Sequence, residues 1–378
     1  MRPTEVTQES GTDEARVPDW RTAATTLVAV FVVTRLLVLL VAAVVEFSVP
    51  LAYEIVKWSE EPILASLTGS DAVYYLGIAD EGYHLEPVKE DHRDWVFFPV
   101  YPIAVRLASV LTLGDIALAG VLVANAAFLG AMFALYRLGV GYLGHGTALR
   151  SVVYLAIAPG AVSFVMAYSE GLFILFAIVA CLAAEQKRWP LMALMYALAS
   201  ATRLQGVLLG VPLLLLIARS GAARSPVALA GLLSGPLALG AFLAWLGAFT
   251  GDPLAYFHAQ EAWTIPPLVD GSPDPSPAAF NPLPFVLIAT LLFYVFLLVY
   301  VRVDRMPPAY VALAVLAIVA VMLGGRLQSV ARYLVTAWPS AWLLAGRRAT
   351  WFAAAWPIAS TGLFVFHAFA HFTQVLAP

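Results

Sequence analysis

One cysteine in 378 residues excludes a disulfide within the chain and a thiolate metal cluster. Cys181 lies inside an apolar run, where it reads as a small packing residue. Charge is scarce too, with Asp, Glu, Lys and Arg making up 12% of the chain against roughly 25% in a soluble domain. The formal net charge of −3 offers no basic surface for nucleic acid. There is no Asn-x-Ser/Thr glycan acceptor, no internal repeat and no stretch of soluble-domain composition. The start also lacks the short basic segment of a cleaved signal peptide. Residues 1–22 instead mix Glu5, Glu9, Asp13, Glu14 and Asp19 with Arg2, Arg16 and Arg21, which predicts a disordered cytoplasmic tail and a first span retained in the mature protein.

What is present is apolar: 61% of the residues are hydrophobic and the mean hydropathy is +0.85. A helix needs roughly 20 apolar residues to cross about 30 Å of hydrocarbon, a ruler that predicts about eleven spans. They fall near 23–49, 115–136, 147–167, 170–185, 189–204, 206–219, 226–249, 282–301, 308–323, 333–346 and 350–372. The expected architecture is an all-α polytopic membrane protein, with 23–378 forming one transmembrane catalytic domain. The segment 98–113, broken by Pro99 and Pro102 and carrying Arg106, is expected to be a helix lying in the membrane interface. A Gly139-x-Gly-x-x-Gly144 match joins two spans and follows no strand, so it reads as a chance hit or a turn. Gly206/Gly210 and Gly231/Gly235 have the spacing of close helix packing.

Basic residues give the orientation, because lysine and arginine concentrate in cytoplasmic loops. Arg16 and Arg21 precede the first span, Arg137 and Arg150 follow the second, and Lys187 and Arg188 follow the fourth. Arg219 and Arg224, Arg302 and Arg305, and Arg347 and Arg348 continue the alternation. This places the N-terminus inside and sends the other connections to the exoplasmic face. Those outward loops hold nearly all the polar chemistry. The first, 50–113, carries Asp71 with an aromatic set of Tyr74, Tyr75, Tyr83, Trp95, Phe97, Phe98 and Tyr101, most simply an interfacial belt. The others bring Glu170, Arg203 and Gln205, then His258 and Trp263, then Arg326, Arg332 and Tyr333. Ionisable groups at such depth cost several kcal/mol unless paired, so folding in lipid gives no reason to gather them.

An outward-facing site has no access to cytosolic nucleotide sugars, so its substrate is expected to arrive attached to membrane lipid. A lipid-phosphate-linked sugar fits. Its leaving group is already a phosphate and needs cationic stabilisation more than protonation, unlike glycoside hydrolysis with its two carboxyl groups. One carboxylate as general base and arginines for the phosphate suffice. Asp71 and Glu170 are the candidate catalytic acids, and Arg332, Arg326 and Arg203 the candidate phosphate ligands. Tyr74, Tyr75, Tyr83, Gln205, His258, Trp263 and Tyr333 are candidate substrate contacts. Metal dependence stays open: no cluster of His and Asp has ligand spacing, but Asp71 and Glu170 could share a divalent cation if they meet.

The runs Asp71-Ala-Val-Tyr-Tyr-Leu-Gly-Ile-Ala-Asp-Glu-Gly-Tyr83, Phe97-Phe-Pro-Val-Tyr-Pro102, Tyr168-Ser-Glu170 with Pro159 upstream, and Arg203-Leu-Gln-Gly206 occur in order. Together they resemble the PIG-V family of GT-C-type membrane mannosyltransferases, typified by the second mannosyltransferase of GPI-anchor assembly. The resemblance covers about 70–206 and beyond that rests on general layout and Arg332-Tyr333. It implies a GT-C-like bundle and inverting transfer of mannose from a polyprenyl (dolichyl) phosphate to a lipid-linked acceptor, with Asp71 as base. Ser70 stands where the family usually has Trp, and Gln205 where it usually has Asn; both bear on acceptor identity more than on reaction class.

Each residue also has a plainer reading. Asp71 has the chemistry of a helix N-cap, while Asp80 and Glu81 suit solvated acids. Glu170 and Arg203 suit a salt bridge inside the bundle. Arg326 and Arg332 suit side chains that snorkel to the interface, and His258 suits a loop histidine. Arg35, deep in the first span, requires a protein partner. A lipid flippase or transporter is the rival class, although no paired repeats with broken helices support it. A GT-C enzyme with a protein or cell-envelope acceptor is the nearer alternative.

Overall fold

The computed structural model describes residues 20–49, 57–88, 92–262, 288, 292, 306–323, 329–346 and 350–373. Among them there are helices and no strands, and Lys57 and Gly69 form an isolated β bridge. The proposed tail at 1–22 falls almost wholly outside the described residues, as do most of 282–301, Trp263 and Arg326.

Helix α1 spans Trp20–Ser48, so regular structure begins slightly before the expected 23. It is apolar on both sides, as a membrane helix must be. Val32, Leu36 and Leu40 face outward while Ala23, Leu27, Val38 and Ala42 pack against the bundle. Arg35 is the exception and finds protein partners. Its Nε donates to Asn125 Oδ1 at 2.9 Å and its Nη2 to the Phe164 carbonyl at 3.2 Å, between the rings of Phe31 and Phe128.

The first loop contributes α2 (Pro62–Leu67), α3 (Asp71–Asp80) and α4 (Val100–Ala108). Helix α4 is the segment expected at the interface. It buries Tyr101, Pro102 and Val105 and exposes Ile103 and Leu107. The aromatic set does not form an exposed belt, which corrects the sequence reading: Trp95, Phe97, Phe98, Tyr74, Tyr75 and Tyr101 are all buried. The loop folds down onto the bundle, and ring-on-ring contacts such as Tyr75–Tyr101 at 5.1 Å replace contact with lipid.

Helix α5 (Ile116–Leu143) starts at Asp115, whose carboxylate accepts from the Leu118 amide at 2.9 Å, and ends at Gly144 with φ 74°. Gly139 and Gly141 lie in its last turns and Gly144 terminates it, so the Gly-x-Gly-x-x-Gly match is a helix end. Then come α6 (His145–Ala156), α7 (Glu170–Glu185), α8 (Trp189–Ser200), α9 (Gly210–Arg219), α10 (Pro226–Gly231), α11 (Ser234–Thr250) and α12 (Ala255–Ala262). The last part supplies α13 (Pro308–Leu323), α14 (Val330–Leu334), α15 (Pro339–Ala345) and α16 (Thr350–Phe372). Two predicted spans are broken at prolines that begin new turns. Span 147–167 passes from α6 into a 3₁₀ segment at Pro159–Phe164, and span 333–346 splits at Pro339.

Among the described residues, four helical stretches are long and apolar enough to cross a membrane: Trp20–Ser48, Ile116–Leu143, Pro226–Thr250 (α10 with α11) and Trp351–Phe372. The shorter and broken helices do not by themselves fix the expected total of about eleven. Close packing at glycine occurs where the spacing predicted it: a Cβ on Gly235 would lie 2.2 Å from the Tyr196 ring.

Candidate active site

Asp71 is the first residue of α3, one position past the N-cap. The cap residue is Ser70, held at φ 59° with no side-chain cap bond, so the N-cap reading of Asp71 is not realised. Its carboxylate instead points across the bundle. Asp71 Oδ2 accepts from Arg332 Nη2 at 2.7 Å, across 261 residues of sequence. Arg332 is carried by α14, and α14 is set in place by bare backbone. A Cβ on Gly160, in the turn after Pro159, would fall 1.9 Å from the Ala331 carbonyl oxygen.

Glu170 opens α7, where the helix dipole favours a negative charge. It is 1% exposed and meets two arginines, Arg203 Nη1 at 2.7 Å and Arg332 Nε at 3.1 Å, both through Oε1. The first is a directed hydrogen bond. The second is a charge contact, because the Nε–H does not aim at the oxygen, and among the described residues Arg332 Nε and Nη1 and Glu170 Oε2 are buried without a hydrogen-bond partner. Arg203 also donates from Nη1 to Ser169 Oγ at 3.0 Å and from Nε to Gln205 Oε1 at 3.2 Å. Ser169 Oγ lies 2.8 Å from the Tyr75 hydroxyl. The Arg332 guanidinium carbon lies 5.0 and 5.1 Å from the ring centres of Tyr168 and Tyr333, and its Nη2 also donates to the Tyr333 hydroxyl at 3.3 Å. Two carboxylates thus balance two guanidinium groups.

Six of the sequence candidates line one cavity of about 330 Å³: Asp71, Tyr75, Arg203, Gln205, Arg332 and Tyr333. Others lie elsewhere. Glu170 is buried behind the arginines rather than in the cavity wall. Tyr74 stacks on Phe97 at 4.9 Å, inside the first loop. Tyr83 donates to the Phe97 carbonyl at 2.6 Å and lines a neighbouring apolar cleft with Phe242 and Trp245. His258 is exposed and paired with Asp252 at 2.7 Å, which raises its pKa, and it does not line the cavity. Arg326 and Trp263 lie outside the described residues.

The sequence reading missed Ser169 as a bridge, and Tyr256 and Gln260 as cavity wall beside Phe97 and Phe98. Ser169 had a signal, standing inside the Tyr168-Ser-Glu170 run. Tyr256 and Gln260 are four apart and so share a helical face, with Gln260 Nε2 donating to the Tyr256 hydroxyl at 3.0 Å.

A second polar cluster fixes the first loop. His84 contacts Asp94 Oδ2 at 2.9 Å through Nδ1 and Glu81 Oε2 at 3.0 Å through Nε2, and the Trp95 indole donates to the His84 carbonyl at 2.6 Å. Hydrogen bonding to Asp94 and then to Glu81 raises the pKa of His84, while burial raises that of Asp94. Among the described residues no three His, Cys, Asp or Glu side chains gather as metal ligands.

Among the described residues the protein is an all-helical membrane bundle with a GT-C-like fold. In structure the chain is similar to ArnT from Cupriavidus metallidurans bound to undecaprenyl phosphate, with a TM-score of 0.51 and 14% identity over 93% of this chain and 76% of ArnT. It is similar, more remotely, to the apo oligosaccharyltransferase of Archaeoglobus fulgidus, with a TM-score of 0.46 and 12% identity over 93% of this chain and 56% of that one. Comparison with curated protein sequences gives no match. A family description, mannosyltransferase (PIG-V), matches residues 25–217, and the chain belongs to that family.

Proposed function

We propose that the protein transfers mannose from a polyprenyl (dolichyl) phosphate donor to a hydroxyl of a lipid-linked glycan on the exoplasmic face, inverting the anomeric carbon. The observation that carries this is Asp71 and Arg332 side by side, 2.7 Å apart, on the wall of one cavity that Arg203 also lines. The acceptor hydroxyl attacks C1 of the sugar while Asp71 removes its proton, and the bond from C1 to the phosphate oxygen breaks. Attack opposite the leaving group inverts the centre.

Charge accounting favours this assignment. As the phosphodiester leaves as a monoester it gains one negative charge, and Asp71 loses one by taking the proton. The total inside the water-poor pocket is unchanged, while Arg332 and Arg203 hold the growing charge on phosphate. Tyr75, Tyr333 and Gln205 are in place to meet the sugar. The donor class is supported by ArnT, a fold neighbour crystallised with undecaprenyl phosphate. The exoplasmic assignment rests on the basic residues in every second connection.

The decisive experiment is transfer of labelled mannose from polyprenyl phosphate to a lipid-linked glycan by purified protein. Asp71→Asn should lower the rate by about 10²- to 10⁴-fold, as loss of a general base does. Near-normal transfer by that variant would falsify the proposal. Flux of lipid-linked sugar across vesicles without any glycosidic product would assign the chain to flipping instead. Transfer is expected to survive chelation, because Arg332 supplies cationic charge between the two carboxylates. Loss in EDTA restored by a divalent salt would show that Asp71 and Glu170 share a cation.

A further inference from the structure

The proposed reaction makes two demands on one group. Arg332 has to neutralise the departing phosphate, yet its Nη2 is bonded to Asp71, the carboxylate that has to be free to take a proton. We propose that Glu170 is a positioning residue onto which Arg332 turns when the donor phosphate arrives, so that Asp71 is released as a base only with donor in place. This rests on the function proposed above and adds an order to it.

The unmade bonds around Arg332 point to such a turn. Among the described residues Nε and Nη1 of Arg332 and Oε2 of Glu170 are buried without hydrogen-bond partners, and buried polar groups rarely stay so. Nε already stands 3.1 Å from Glu170 Oε1. A bidentate pairing of Arg332 with Glu170 satisfies both orphaned atoms of that pair and turns the remaining nitrogen toward the cavity, where a phosphate oxygen completes it.

The surroundings permit the movement and hold its destination still. Glu170 is fixed from the other side by Arg203 at 2.7 Å, and Arg203 is itself held by Ser169 and Gln205. The guanidinium carbon lies 5.0 and 5.1 Å from the ring centres of Tyr168 and Tyr333, contacts less directional than hydrogen bonds, and the turn gives up only the long 3.3 Å bond from Nη2 to the Tyr333 hydroxyl besides the one to Asp71. The charged and titratable groups that act on Asp71 or share its electrostatic surroundings are Arg332, Glu170, Arg203, Tyr75, Tyr168 and His371. Arg332 is the one that bonds it. As long as that bond is made, an acceptor meets a carboxylate that is already occupied.

The test is a double-mutant cycle on binding of undecaprenyl phosphate to the full-length protein in detergent. Asp71 competes with phosphate for Arg332, so Asp71→Asn is expected to bind the lipid about tenfold more tightly. Glu170→Asp keeps the buried charge but shortens its reach. It should weaken binding about tenfold beside Asp71, and change it by less than about twofold in the Asp71→Asn background, where there is no competition to resolve. Additive effects of the two substitutions overturn the proposal. If Glu170→Asp fails a thermal-unfolding control, Asp71→Asn alone decides, and unchanged affinity overturns it. Transfer separates the two readings: an active Asp71→Asn enzyme removes the proposed function, whereas an inactive one with additive binding removes the turning arginine alone.

Discussion

Helix α7 carries a glutamate at each end, about 22 Å apart at 1.5 Å per residue, and the two live differently. Glu170, at the N-terminus, is favoured by the helix dipole and meets two arginines directly. Glu185, at the C-terminus, is disfavoured by the same dipole and accepts from the hydroxyls of Tyr142 and Tyr310. Arg219 reaches it only at one remove, donating to the Tyr142 hydroxyl at 3.2 Å. The rings around Glu185 close on one another, with Tyr310 4.9 Å from Trp342. Among the described residues, unpartnered buried atoms occur beside both, but beside Glu185 they belong to the neutral indoles of Trp338 and Trp342, whereas beside Glu170 they belong to the charged pair itself, and its arginine partners line a cavity. An acid held by partners in a membrane bundle is thus not by itself a site; what marks Glu170 is open bonding capacity on charged groups next to a cavity.

That contrast can be broken from either end. Glu170→Ala should have the largest effect, because it leaves two buried arginines facing the single carboxylate of Asp71: a loss of about 3–5 kcal/mol in thermal or denaturant unfolding, with transfer abolished. Glu185→Gln should cost only about 1 kcal/mol and leave transfer within about twofold, since its neutral hydrogen bonds can largely be remade. Equal losses at the two positions would erase the distinction.

Gly160→Ala tests how Arg332 is placed. The added methyl meets the Ala331 carbonyl at 1.9 Å, so the two segments have to part, and a shift of about 1 Å at Arg332 should cost about 10²-fold in transfer. Tyr75→Phe removes the hydroxyl that bonds Ser169 and should lower stability by about 1 kcal/mol, with a modest loss of rate.

The smallest effect belongs to the loop clamp. The His84 pKa is raised in the folded protein by its bonds to Asp94 and Glu81. The stabilisation is therefore fully present below the unfolded value of roughly 6.5 and lost as pH rises through the folded value. His84 is partly exposed, so the difference in unfolding stability between wild type and His84→Gln should be at most about 1 kcal/mol at pH 5.5 and vanish by pH 9.

Much of this was legible before any coordinates. Glu170, Arg203 and Arg332 stand out because each interrupts an apolar stretch, where hydrocarbon leaves few partners, and Asp71 because it opens the run of acids, tyrosines and prolines after the first span. Helix positions followed the apolar runs for the same reason. Depth was not legible: nothing in the order of residues distinguishes Arg332, on the cavity wall, from Glu170, behind it. The first-loop aromatics misled because an aromatic run suits a membrane surface and a buried wall equally well. Tyr256 and Gln260 were obscure because the fold of their loop, rather than their chemistry, brings them to the cavity.

The crossing at Gly160 has one more consequence. Most contacts between helices are cushioned by side chains that can flex, but here main chain rests on main chain. The position of Arg332 is thereby gauged against a fixed datum from the other half of the polypeptide. Changes in the surrounding side chains can retune the pocket without moving the backbone that carries Arg332, because that backbone rests on Gly160.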